Sequence, residues 1–222
     1  MERANLKQLL IMELPPAFVQ QLLVELGKIY LHSYNNLHND EHLGECEADY
    51  NLGHYRRSLC ETVFRRLAIT SNLKSSDISP QNGGWSHVQV ETEKFKLDIC
   101  HVQSPNAFPK PSDTRQQNSE INHHIGQQVL FAEESDNINN NEKFYGIVVH
   151  TESRGEKNNF RYAGIGFPNE DFSEWAAEPI DLSEIMDLQS LLLKKPNDMQ
   201  EQIQQPKPKW KRLSPEQKKD QR

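Results

Sequence analysis

The sequence predicts an α+β fold: two N-terminal helices, then a roughly four-stranded antiparallel or mixed sheet with helices on one side, then a disordered basic C-terminal tail. Apolar residues recur at three- and four-residue steps through 18–30 and again through 55–67, the mark of amphipathic helices. The period shortens to two between Val88 and Ile99, and a nearly continuous apolar run, FYGIVVH, occupies 144–150. From residue 196 onward aliphatic residues almost vanish, so little there offsets the entropy of ordering the backbone. One domain over 1–195 and a tail over 196–222 follow from that break.

Each element has its own warrant. Leu6, Leu9, Leu10 and Met12 suit one or two docked turns. Pro15-Pro16 opens the first long helix, whose stripe is Phe18, Val19, Leu22, Leu23, Leu26, Ile29 and Tyr30. Residues 35–50 are polar and acidic and read as a loop or as the lead-in to a second helix. There Tyr55, Leu59, Val63 and Leu67 recur at strict four-residue spacing. A polar break, SSDISPQNGG, precedes a hairpin over 85–102, and three prolines between Ser104 and Pro111 predict an extended crossing loop. Ser112 or Asp113 then caps a helix running to about Leu130, with Ile121, Ile125 and Val129 on one face. The run at 144–150 predicts a buried central strand, paired with 160–167 across the SRGEKNN turn. Trp175 falls in a short amphipathic turn, and Asp181 or Ser183 caps a last helix over 182–193.

Net charge is -7 over 222 residues, but it is unevenly spread. Lys194 to Arg222 holds nine Lys/Arg against four Asp/Glu, which leaves sixteen against twenty-eight, a net -12, for residues 1–193. A body so acidic is a poor general binder of nucleic acid, because sequence-independent affinity for phosphates needs concentrated positive charge. Apolar content of 35% and a mean hydropathy of -0.81 allow only a modest core. No apolar run reaches the roughly 18 residues of a membrane span, and MERANLKQLL lacks the apolar core of a secretory signal. A cytoplasmic protein with no membrane partner is therefore expected. Cys46, Cys60 and Cys100 are odd in number with no C-x-x-C spacing, which predicts neither a disulfide framework nor a cysteine-built zinc site.

Several groups of residues carry the types that chemistry needs. His38 and His42, in the order H-N-D-E-H, have the four-residue spacing of a helical metal chelate, but the order is not the H-E-x-x-H of a zinc hydrolase and the hydrophilic surroundings favour a solvated loop. No required metal or cofactor is expected. Asp98, His101, His150 and Glu152 stand at strand ends, where a histidine–carboxylate set shuttles protons or holds a divalent cation. Glu61 from the preceding helix, with Lys94 or Lys96 nearby, completes the residue types of a metal-dependent nuclease. The stretch VETEKFKLD lacks the D/E-x-K order of such sites, and alternating charge on a solvent face explains it as well. Arg115, Asn118 and Asn122 recur at helical spacing and offer a polar face to a partner. The chain has no phosphate-cradling loop, dinucleotide fingerprint, serine elbow or kinase signature, which speaks against nucleotide-dependent chemistry. In the tail, Trp210 among Lys207, Lys209, Lys211 and Arg212 forms an aromatic and cationic anchor, suited to an acidic protein or to stacking on single-stranded nucleic acid.

These observations predict a small regulatory or adaptor protein that works by binding another protein, in the manner of the neutralising or accessory subunit of a bacterial two-component system. The alternative they support is a metal-dependent nuclease or other hydrolase using Asp98, His101 and His150.

Overall fold

Leu6, Leu10 and Leu14 repeat every four residues and are buried along one side of helix α1 (Arg3–Glu13) and the turn that follows it. The computed structural model describes residues 3–79, 85–123, 125 and 143–193. Pro16 starts α2 (Pro16–His38), where its missing N–H leaves no bond unmade, and the two helices meet at 94°. The apolar stripe of α2 is buried from Phe18 through Tyr30, and Ser33 extends it by one turn. Helix α3 (Glu45–Thr70) begins within the acidic stretch, because Glu45 and Glu47 favour the positive end of the helix dipole. Its buried face is Leu52, Arg56, Cys60, Val63, Phe64 and Leu67, rotated from the predicted stripe, so Tyr55 and Leu59 are only half-buried.

Among the described residues six strands form one sheet, two more than the sequence predicts. They are β1 (Lys74–Ile78), β2 (His87–Glu91), β3 (Phe95–His101), β4 (Phe144–Ser153), β5 (Glu156–Pro168) and β6 (Trp175–Asp181), in that spatial order. Every neighbouring pair is antiparallel except β3 and β4, which run parallel from Phe95↔Phe144 to His101↔His150. The two added strands are the edges of the sheet. β1 reads KSSDI and is half-exposed, and β6 carries Pro179, which an edge strand tolerates because it owes no outward hydrogen bond. The β4–β5 hairpin turns on Arg154 and Gly155, with Gly155 at φ 81, a conformation that suits glycine. Gly166 of β5 leaves room for the Trp175 ring, which a Cβ would meet at 2.6 Å.

The final helix, α5 (Leu182–Leu193), joins α1, α2 and α3 on one face, where Phe95, Leu97, Val148, Ile165 and Phe167 meet Leu22, Leu26 and Phe64. The opposite face is not bare. Val102, Tyr145, Ile147, Val149 and Phe172 form a second apolar layer, covered by Phe108 and Ile121 from the β3–β4 crossover. A parallel pair needs such a crossover, whose short helical turns lie over this face while the long helices share the other. Within the crossover, α4 (Asp113–Ser119) is capped by Ser112, whose Oγ accepts from the Arg115 amide at 3.4 Å, and a 3-10 turn over Glu120–Asn122 follows it, with His123 and Ile125 again helical. Asn122 is buried and gives both ends of its amide to the Tyr145 and Pro168 backbone, so it is not part of an exposed polar face. The predicted continuation of this helix from 126 to Leu130, and the tail with Lys207, Lys209, Trp210, Lys211 and Arg212, lie outside the described residues. Among the described residues no single helix is long and apolar enough to cross a membrane.

Candidate functional site

Because β3 and β4 run parallel, their C-terminal ends lie together, and His101 and His150 are direct neighbours with ring centroids 5.7 Å apart. Alternation along β4 sends His150 and Glu152 toward the helices. The pairing with β5 shifts register on both sides of Glu152, and such a bulge re-aims a side chain. Glu152 thereby reaches Arg56 of α3 at 2.5 Å and stands 3.4 Å from His101 Nε2. Arg56 also donates to the Lys157 carbonyl at 2.5 Å and to Ser33 Oγ at 3.3 Å, and its guanidinium carbon lies 4.0 Å from the Tyr30 ring centroid. Tyr30 Oη in turn meets His150 Nδ1 at 2.8 Å. Two helices and a central strand are thus joined by one buried polar chain.

Its electrostatics follow from burial. His150 is pushed down to about 3 by desolvation, with the charges of His101 and Arg56 adding to it, so its imidazole is neutral. Desolvation raises the Tyr30 phenol well above its ordinary value. Glu152 is held below the usual carboxylate range by His101 beside it and by Arg56, against the opposing effect of burial.

His101 and His150 line a cleft of about 610 Å³ between α3, the end of β3 and the proline loop. Its walls include Tyr50, His54, Arg57 and Glu61, which follow one another at helical spacing on α3, with Ala107, Phe108 and Pro109 opposite. Arg57, Lys110 and Arg115 bring three cations to it, and among the described residues lining it Glu61 is the single carboxylate, paired with Arg57 at 2.8 Å. Cys60 and Cys100 also line it, both as thiols that desolvation pushes up, Cys60 to about 12, which leaves them poor nucleophiles.

Asp98 is elsewhere. It stands three positions before His101, so strand alternation turns it to the opposite face, where Tyr145 Oη donates to it at 2.6 Å and Gln89 Nε2 at 3.3 Å. His87 Nε2, buried without a hydrogen-bond partner, is 3.4 Å from the same carboxylate. The sheet therefore divides the predicted quartet, with His101, His150 and Glu152 together on one face and Asp98 on the other, while Glu61 stays on the helix side. His87 borders a smaller cavity of about 330 Å³ with Trp85, Arg57 and Arg115, so the two hollows share both arginines.

His38 ends α2 and is occupied within the fold, stacked on Tyr34 at 3.8 Å and 3.3 Å from Asp49. His42 lies beyond the helix beside Glu41, so the four-residue chelate geometry does not form. Among the described residues no cluster of three or more His, Cys, Asp or Glu side chains is arranged to hold a metal ion.

Sequence reasoning passed over Tyr30, Ser33, Arg56, Arg57 and His87. Tyr30 could be found as the last member of the α2 stripe, and Arg56 stands four residues from both Leu52 and Cys60, a polar position inside a buried face. Fold and site together define an α+β protein with a basic cleft at the ends of a parallel strand pair. No family model, no curated protein and no solved structure matches the chain.

Proposed function

We propose that this protein acts by binding, and that its recognition element is the cleft at the ends of β3 and β4, which takes an anionic ligand. One observation carries the reading: Arg57, Lys110 and Arg115 converge on one concavity in a body whose net charge is -12. Lowered dielectric at the walls of a cleft focuses such a field, so the cleft attracts anions that the rest of the surface repels. The proline loop supplies an apolar wall, and 610 Å³ is within the roughly 300–1,000 Å³ of small-ligand sites. A cytoplasmic regulatory or adaptor role, in which cleft occupancy controls association with a partner protein, suits a binding module of this kind.

Titration calorimetry with tripolyphosphate tests the proposal. Binding should weaken as salt rises and drop at least about ten-fold in the Arg57→Ala, Lys110→Ala double variant. Heat unchanged by those substitutions contradicts it.

A second reading is a hydrolase. It rests on the contact between His101 and Glu152 at the cleft, an imidazole with an orienting carboxylate, beside the neutral His150. It uses Glu152 in place of Asp98.

A further inference from the structure

The cleft is flanked by more flat aromatic surface than an anion site needs. His54 stacks on Trp85 with ring centroids 6.2 Å apart and planes 26° from parallel, and Tyr50 meets His54 at 6.4 Å with its plane tilted by 58°. Tyr50 and Trp85 remain 77% and 69% exposed, among the largest apolar surfaces left uncovered on the described residues. Large aromatic rings held in water without a covering neighbour are costly to leave unused. Tyr50 and His54 line the cleft with the three cations, and Trp85 lines the smaller hollow that shares Arg57 and Arg115 with it. Arg57 lies seven residues, two helical turns, beyond Tyr50 on α3, and the smaller hollow under Trp85 is bounded by Arg57 and Arg115.

We propose that the cleft takes a nucleoside phosphate: the base stacks on the Trp85–His54–Tyr50 platform, and the phosphate is met by Arg57, Lys110 and Arg115. This rests on the anion-binding reading and adds the class of anion. Base–aromatic stacking tolerates any base, because each offers a π face, and guanidinium groups pair with phosphate oxygens bidentately. An acidic peptide offers the charge without the π face. The recognition differs from that of phosphate-cradling loops, which explains why no glycine-rich motif announces it. The unit is either a free nucleotide or part of a single strand, and the two are separated by length.

The test is calorimetry on the full chain with four probes: ADP, pyrophosphate, hexa-adenylate and hexaglutamate. ADP should bind at least about ten-fold more tightly than pyrophosphate, the scale of one stacked base. Trp85→Ala should remove that advantage and leave the pyrophosphate affinity unchanged, while Trp85→Phe keeps most of it. Because Trp85 is largely exposed, both variants should melt with the parent. Hexa-adenylate tighter than ADP identifies a strand, and equal or weaker binding identifies a free nucleotide. Equal affinities for ADP and pyrophosphate, or for ADP and hexaglutamate, overturn the stacked base but leave the anion site standing. No binding by any probe overturns both. ADP binding that survives Trp85→Ala and Arg57→Ala together but fails when Lys209, Lys211 and Arg212 are replaced by Ala places the ligand on the tail and overturns the proposal.

Discussion

Tyr30 Oη lies 2.8 Å from His150 Nδ1, joining the buried stripe of α2 to the central strand. The imidazole there is neutral, with a pKa near 3, and in the unfolded chain it takes a proton near 6.5. Above 6.5 neither state binds that proton. Below 6.5 the unfolded state binds it and the folded state refuses it, so stability falls by about 1.4 kcal/mol per pH unit as pH drops toward 5. His150→Gln should flatten this slope in denaturant melts between pH 6.5 and 5. Glu152, whose folded pKa is depressed, adds its own loss only at lower pH, below its ordinary 4.5, so the window separates His150 from Glu152, and the difference between parent and variant slopes reports His150.

Arg56 is a buried cation on the apolar face of α3, with a side chain only 5% exposed. Arg56→Ala removes the partner of Glu152, the cation over Tyr30 and the donor to the Lys157 carbonyl together. Such losses cost roughly 3–5 kcal/mol. Urea midpoints of the single and the Arg56→Ala, Glu152→Ala double variants should show strong non-additivity, since a shared network couples neighbouring sites.

The rotated face of α3 separates two leucines that the spacing alone makes equivalent. Leu67 is 4% exposed and Leu59 is half-buried, so Leu67→Ala should cost roughly 2–5 kcal/mol and Leu59→Ala clearly less. Equal shifts in urea midpoint would mean that both line the core.

Asn122 ties the crossover to the sheet through three bonds of 2.7–2.8 Å, two to Tyr145 and one to the Pro168 carbonyl. Asn122→Ala leaves buried backbone groups unpaired, at roughly 1–3 kcal/mol each. Hydrogen exchange at the Tyr145 amide should accelerate in that variant.

Helices, hairpins and the central strand were legible because burial there follows period 3.6 or 2 over many residues. The edge strands were not, since KSSDI has a single apolar residue and buries none, and WAAEPID breaks its alternation with a proline. The parallel pairing of β3 and β4 was hidden because pairing sense depends on the path of the long connection between them. Alternation alone places Asp98 and His101 on opposite faces, an inference available from their odd spacing. The pairing of His101 with His150 was not available, because it depends on the register between strands more than forty residues apart. Arg56 was concealed for a different reason: a pattern of apolar positions treats a charged residue as exposed. Nor does net charge reveal the cleft, since -12 summed over the body averages away three cations brought together by folding.

Anion binding at the cleft is measured most directly by amide chemical-shift mapping of the isotope-labelled full chain titrated with tripolyphosphate. Binding at the cleft gives the largest shifts at His54, Arg57, His101, Lys110 and Arg115, saturating together with one affinity that falls as salt rises. Shifts confined to Lys207–Arg212, or scattered over the surface without saturation, would contradict it.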